Sequence, residues 1–366
     1  MNVKKIDSYI LRKYFSTFFF CLILFTTVVV VVDISEKTDN FANPELTVSK
    51  IITDYYLGFI PHIDAMLFPL FVFLSVIFFT SKMAGRSEVI AILSSGVSFK
   101  RFLLPFFWGG FILAGMLWYG YQYFIPNSNR KWAEFEKRYI NNKMPASERN
   151  ATYKQNLYFR IDSNTYAGIK GYDTISKTGS NLMVQRFVNS RMVYNLRAMN
   201  FKWDSVQNKW NLINVLEREI HENNETPHFT ISKFASYTFK PNDLRKDDYL
   251  KDQLTTPELN KFIELEKMRG SEMLSSLQVE RYNRDAIPFS VLILTIIGSV
   301  LASKKVRGGS GFHLALGVLI SVLYILFSRL TVVFATKGNF APWLAAWSPN
   351  IVFTIVAYYF YKKAPK

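Results

Sequence analysis

Strongly apolar stretches recur six times along this chain, three before and three after a long polar block. A bilayer core of about 30 Å takes roughly 20 helical residues to cross. The stretches Tyr14 to Val32, Leu57 to Thr80, Phe102 to Ile125, Ala286 to Ala302, Phe312 to Ala335 and Trp343 to Tyr361 are therefore expected to be membrane-spanning helices. The first ends in Val28 to Val32, a β-branched run that in water would suggest a strand. Its length and setting favour a span instead. It is also too long for a signal peptide and lacks a small-residue cleavage site, so it is expected to be retained.

The polar block, from Pro126 to about Asp285, changes period twice. Asn127 to Asn142 is charged and helix-compatible, and is expected to prolong the third span. From about Asn150 to Phe239 the period becomes two: Leu157, Phe159 and Ile161 alternate with Tyr158, Arg160 and Asp162. Phe201-Lys202-Trp203 and Trp210-Asn211-Leu212 flank Asp204 to Lys209 and read as a hairpin. Successive strands of this kind predict an antiparallel all-β module. From Thr256 to Arg284 a helical pattern returns, with a break at Gly270. The fold class is thus an α-helical polytopic membrane protein with an inserted β domain. Residues 1–125 carry spans one to three and residues 126–285 the soluble domain, its β part at about 150–240 and a helical connector at about 256–284. Residues 286–366 carry spans four to six.

Charge orients this layout. Lys4, Lys5, Arg12, Lys13, Lys82, Arg86, Lys100, Arg101, Lys304, Lys305, Arg307, Lys362, Lys363 and Lys366 lie on one side, against only Asp7 and Glu88. The first loop of the other side holds Asp33, Glu36, Asp39, Glu45 and Asp54 against Lys37 and Lys50. By the positive-inside bias both termini are cytoplasmic and the soluble domain is outside. These flanks supply +12 of the formal net charge of +16, which removes the case for a nucleic-acid partner. Cys21 is the single cysteine, so no intramolecular disulfide can form. The external domain must rely on its own core, for which about 160 residues suffice.

Catalytic groups are sparse. His62, His221, His228 and His313 are not paired at metal-ligand spacing, so no metal site is expected. Gly308-Gly309-Ser310-Gly311 has no Gly-Lys-Ser/Thr after it and reads as a turn between two spans. No cofactor is expected on this chain, and its energy source must lie elsewhere. The second cytoplasmic loop is the place for it. Gly85-Arg86-Ser87-Glu88-Val89-Ile90-Ala91-Ile92-Leu93-Ser94-Ser95-Gly96 predicts a short helix near residues 85–97, with Val89, Ile92 and Leu93 on one face. Glu88 stands at its positive end and Gly96 stops it. One reading is an interfacial helix lying against headgroups. The other is a coupling helix seated in a groove on a cytoplasmic ATPase, with Glu88 facing a cation.

Arg86-Ser87-Glu88 with Gly96, the Trp203 and Trp210 hairpin, Thr256-Pro257-Glu258-Leu259, and Glu280-Arg281-Tyr282-Asn283-Arg284 running into Ile287-Pro288 together resemble the LptF/LptG permease family over essentially the whole chain. That family supplies the membrane subunits of an ABC exporter for lipopolysaccharide, and the resemblance leans towards LptG. It implies a periplasmic β-jellyroll and a bacterial inner-membrane location. It also implies a paralogous six-span permease, a cytoplasmic ABC ATPase dimer that binds the ATP and Mg, a single-span lateral-gate protein and a periplasmic bridge protein. The chain itself would be no enzyme. Arg86, Ser87, Glu88, Val89, Ile92, Leu93 and Gly96 would form the ATPase seat. Family members carry lysines beyond the first span that meet lipid phosphates. Here the stretch reads Asp33-Ile34-Ser35-Glu36-Lys37, with Lys37 its only cation. The acidic change fits a different lipid A charge pattern or a salt bridge within the loop.

An anionic lipid needs cations at headgroup depth. Arg130, Lys131, Lys137 and Arg138 follow the third span, although Glu134 lies four residues from both arginines and would form helix-surface ion pairs. Arg329 sits six residues from the outer end of the fifth span, roughly 9 Å deep, where an unpaired arginine is costly. Asp64 lies at comparable depth, so Arg329 either pairs with it or binds a lipid phosphate. Two other functions are alternatives, although lipoprotein permeases place their large external domain after the first span rather than the third. One is an ABC permease for another lipid or lipoprotein. The other is a lipid-modifying membrane enzyme using His62 and Asp64 as base and acid.

Overall fold

The computed structural model describes residues 5–44, 46–140, 157–173, 176–221, 224–244, 250–271, 273–304 and 309–364. Lys4, Glu45, Lys305, Arg307, Gly308, Lys366 and the stretch from Asn142 to Asn150 lie outside them. The chain forms two compact units: Met1–Glu136 with Lys251–Leu259 and Ser275–Lys366, and Lys137–Leu250 with Asn260–Leu274.

The first unit is helical. The helices before the sheet are α1 (Lys5–Phe41), α2 (Val48–Gly85), α3 (Glu88–Ser94) and α4 (Phe99–Ile140). After the sheet come α5 (Leu250–Gln253), α6 (Thr256–Arg269), α7 (Leu274–Ala302), α8 (Gly309–Lys337) and α9 (Pro342–Lys362); α4 beyond Glu136 and α6 from Asn260 belong to the second unit. Among the described residues, five helices are long and apolar enough to cross a membrane: α1, α2, α4, α7 and α8. The sixth expected span, α9, is helical over 21 residues but less apolar, because Trp343, Trp347, Ser348 and Asn350 interrupt it. Asn350 is not idle there. Its amide donates to the Ala286 carbonyl at 2.7 Å and accepts from the Tyr324 hydroxyl at 3.1 Å, tying α9 to α7 and α8.

The valine run of α1 is helix, as its length requires. Only Ile10, Tyr14, Phe18 and Asp33 of α1 are buried, and the first three recur at four-residue spacing as a narrow stripe. The stripe meets a surface made for it. A Cβ on Gly109 would stand 2.5 Å from the Tyr14 ring, and one on Gly110 2.9 Å from the Thr295 hydroxyl oxygen. Two successive glycines of α4 therefore let α1 and α7 come close, and Tyr14 and Thr295 share a hydrogen bond of 2.8 Å there. Elsewhere α1 leaves Phe20, Ile23, Val28, Val31 and Val32 exposed. In water such a surface would be an aggregation hazard; hydrocarbon removes the penalty.

The second unit contains a six-stranded antiparallel sheet: β1 (Leu157–Arg160), β2 (Thr165–Asp173), β3 (Thr178–Val188), β4 (Arg191–Asp204), β5 (Lys209–Ile220) and β6 (Glu225–Ala235). Strand order follows chain order, so the sheet is a meander. The crossed connections of a jellyroll are not present among the described residues. Trp203 pairs with Trp210 and Asp204 with Lys209, forming the expected hairpin. Asp204 Oδ1 closes its turn by accepting from Val206 N at 2.8 Å and Gln207 N at 3.1 Å.

One line crosses five strands of this sheet. Lys170, Asn181, Met199, Asn214 and Ile231 are each skipped in the pairing, although the register on both sides is the same. Asn181 and Asn214 have φ of 52° and 53°, a left-handed conformation that asparagine tolerates better than most residues. The line reverses which parity points inward. Buried residues step by two on one side and by three across it: Ala167, Ile169, Tyr172; Leu196, Ala198, Phe201; Trp210, Leu212, Val215. All belong to a single core with Phe239, where the Trp210 indole donates to the Phe239 carbonyl at 3.0 Å.

Candidate functional site

The short helix α3 is built by two unusual backbone positions. Ser87 has φ of 61° and turns the chain sharply into Glu88; Gly96, at φ of 87°, ends it. Successive helical residues are rotated by about 100°, so seven residues present two faces. Val89 is fully buried, and Ile92 and Leu93 pack beside it against the membrane helices of this same chain. The apolar face expected to dock on a partner thus docks internally. The open face is Ile90, 52% exposed, with Ala91, Ser94 and Ser95. Sequence reasoning missed Ile90 and Ala91, which lie opposite the stripe it used.

Glu88 stands between the two faces. Its Oε2 accepts from the Tyr9 hydroxyl of α1 at 3.0 Å, and its Oε1 lies 3.9 Å from Arg86 Nη1. Nearby, Arg101 of α4 forks onto Asp7 of α1, Nη1 to Oδ1 at 2.8 Å and Nη2 to Oδ2 at 2.5 Å. The first two turns of α1 therefore hold the start of α3 and the start of α4 together.

The expected lipid cations have unequal surroundings. Lys37 lies 3.1 Å from Asp33 and 3.4 Å from Glu136, donates to the Tyr55 hydroxyl, and stands over the Tyr55 ring at 4.7 Å. Asp33 is buried and also accepts from Tyr55 at 2.9 Å and Tyr56 at 3.1 Å. Asp33 of the acidic stretch after the first span is thus answered within the protein. Arg130 donates to Glu258 at 2.9 Å and to the Gln253 carbonyl at 3.3 Å, so its carboxylate is Glu258 and not the expected Glu134. Glu258 itself closes the start of α6, accepting from the backbone N–H and the hydroxyl of Thr255, both at 2.8 Å. The Thr255 N–H, its hydroxyl and Arg130 together hold the Glu258 carboxyl below its ordinary range. Lys131 and Lys137 are exposed on α4.

Arg329 and Asp64 do not pair. The Thr26 hydroxyl of α1 donates to Asp64 at 2.6 Å, while Arg329, exposed on α8, donates to Met66 Sδ at 3.5 Å. Two residues along a helix turn by about 200°, so Asp64 and Met66 face opposite ways, and α8 lies on the Met66 side. His62 likewise engages Asn129 at 3.1 Å and meets the Trp132 ring at a tilt, centroids 5.1 Å apart. The acid and base of the enzyme reading are not brought together.

Among the described residues, the most enclosed charged one has no place in the expected sites. Arg284 of α7 is 1% exposed, donating to Thr256 at 3.0 Å, the Lys251 carbonyl at 2.9 Å and Glu280 at 3.3 Å. It joins α5, α6 and α7, which gives the Glu280 to Arg284 motif a structural reason. Only its four-residue spacing from Glu280 is visible in the sequence.

Comparison with protein families gives a match to the family described as lipopolysaccharide export system permease LptF/LptG, over residues 8–363. The match does not separate the two paralogues. No curated protein matches the chain.

Proposed function

The chain belongs to the LptF/LptG family of lipopolysaccharide export permeases, and on that premise we propose that it is one permease half of an ABC exporter that draws lipopolysaccharide out of the bacterial inner membrane. The basic flanks support a cytoplasmic location for both termini and α3, and a periplasmic one for the sheet. Energy comes from a separate ATPase dimer, which holds ATP and Mg. A paralogous permease completes the cavity, a single-span protein occupies its lateral gate, and a periplasmic bridge receives the lipid.

The observation that carries this reading is α3. A seven-residue helix between two long apolar helices is far too short to span. It is braced from inside by Val89, Ile92 and Leu93 and offers Ile90, Ala91 and Ser94 outward, with Glu88 and Arg86 at its entrance. A small apolar knob with a carboxylate beside it suits a groove carrying a cation. For the lipid, Lys37 is already matched by two carboxylates. Lys131, Lys137 and Arg329 are exposed and are the stronger candidates for phosphate contact.

Affinity purification of the tagged chain from native membranes tests the reading. A P-loop ATPase and a second six-span protein are expected to accompany it, and Glu88→Lys is expected to lose the ATPase while still inserting. Retention of the ATPase by that variant would return α3 to an interfacial helix.

A further inference from the structure

Glu88 would serve a partner cation only if its carboxylate is presented in one orientation. A glutamate at an exposed helix start ordinarily samples several rotamers, and fixing one costs side-chain entropy on binding. Here the neighbours restrict it beforehand. The Tyr9 hydroxyl holds Oε2 at 3.0 Å, and Arg86 faces Oε1 at 3.9 Å. Tyr9 is itself held. Lys13, one turn further along α1, stands over its ring at 5.8 Å, and the Asp7 fork to Arg101 fixes the turn that carries it. Ser87, in the left-handed region, allows no helical residue before Glu88, so the carboxylate stands at the edge of the open face.

From this geometry we propose that Tyr9 is a positioning residue for the ATPase seat: its hydroxyl holds the Glu88 carboxylate toward the partner cation and ties α3 to the first turns of α1. The proposal rests on the reading of α3 as the seat. Displacement of α3 by the ATPase is then passed to α1 through this hydrogen bond and the Asp7 to Arg101 pair.

A double-mutant cycle tests it. The full chain, and its Tyr9→Phe, Glu88→Gln and doubly substituted forms, are purified with the paralogous permease. Each is then titrated with the P-loop ATPase that copurifies with the wild type. Phe keeps the ring and its Lys13 contact, and thermal unfolding of Tyr9→Phe reports that the fold is kept. Tyr9→Phe is expected to weaken ATPase affinity about fivefold, and the double variant to bind no more weakly than Glu88→Gln alone. Weak binding by Glu88→Gln with wild-type binding by Tyr9→Phe overturns the positioning role and leaves the seat standing. Additive losses also overturn it, because Tyr9 would then act apart from Glu88. Wild-type binding by Glu88→Gln overturns the seat and the positioning role together.

Discussion

Lys37 and Asp33 stand one helical turn apart on α1, 3.1 Å between ammonium and carboxylate, with Asp33 buried and also held by two tyrosine hydroxyls. Removing one partner of an enclosed ion pair strands the other charge, at a cost on the order of 3 kcal/mol. Lys37→Ala is therefore expected to lower the thermal unfolding temperature of the purified chain clearly. Lys37→Met combined with Asp33→Asn is expected to recover most of that loss. If Lys37→Ala unfolds like wild type but binds lipopolysaccharide more weakly, Lys37 serves the lipid and its pairing is incidental.

Arg284 gives a second expectation. Its guanidinium reaches a hydroxyl, a carbonyl and a carboxylate on three elements. Arg284→Leu keeps bulk but leaves those acceptors unmet, each costing about 1–3 kcal/mol. The variant is expected to accumulate poorly and to unfold well below wild type in detergent. Wild-type accumulation and unfolding would show that these bonds contribute little.

The start of α6 is expected to depend on pH. Glu258 has its pKa lowered in the folded protein, by the Thr255 N–H first. A carboxyl depressed on folding stabilises above its unfolded pKa, and the benefit is lost as pH falls through the folded value. The group is half exposed, with 46% of its side chain accessible, so about 1 kcal/mol at most is at stake. Glu258→Ala is expected to be less stable than wild type at pH 7. The difference should close as pH falls below about 4. A difference unchanged down to pH 3 would mean that the Ala variant loses packing rather than the cap.

These partners mark how far the sequence could be read. Membrane helices were legible because the bilayer dictates their length, and even Val28 to Val32 obeys that length over its strand propensity. Thr255 and Glu258 carry an open local signal, serine or threonine followed three residues later by glutamate. The Arg130 that joins them is 128 residues away from Glu258, and nothing in the spacing announces it. Lys37 finds Glu136 across 99 residues for the same reason. In the sheet, alternation was visible but the line through Asn181 and Asn214 was not, because a left-handed asparagine inverts the pattern without adding a residue. At α3 the stripe of Val89, Ile92 and Leu93 packs into the chain's own core; a seven-residue pattern does not say whether a stripe faces inward or out.

Arg329 separates lipid contact from structure. It is exposed on α8, where it donates to the Met66 sulfur, and Asp64 is engaged by Thr26. Arg329→Ala is expected to weaken lipopolysaccharide binding about tenfold, the effect of one charge-assisted bond. Assembly with the ATPase and the second permease should be intact. Asp64→Asn is expected to leave lipid affinity unchanged. Equal losses from the two substitutions would tie both residues to one structural role.

Transport of lipopolysaccharide itself is the central claim, and it is measured most directly with the purified complex in proteoliposomes loaded with that lipid. Release of lipopolysaccharide to the periplasmic bridge protein is predicted to require ATP, to spare the bulk phospholipid, and to stop with Glu88→Lys in this chain. Release that is independent of ATP, or ATP-driven release of another lipid while lipopolysaccharide stays in the bilayer, would contradict the account.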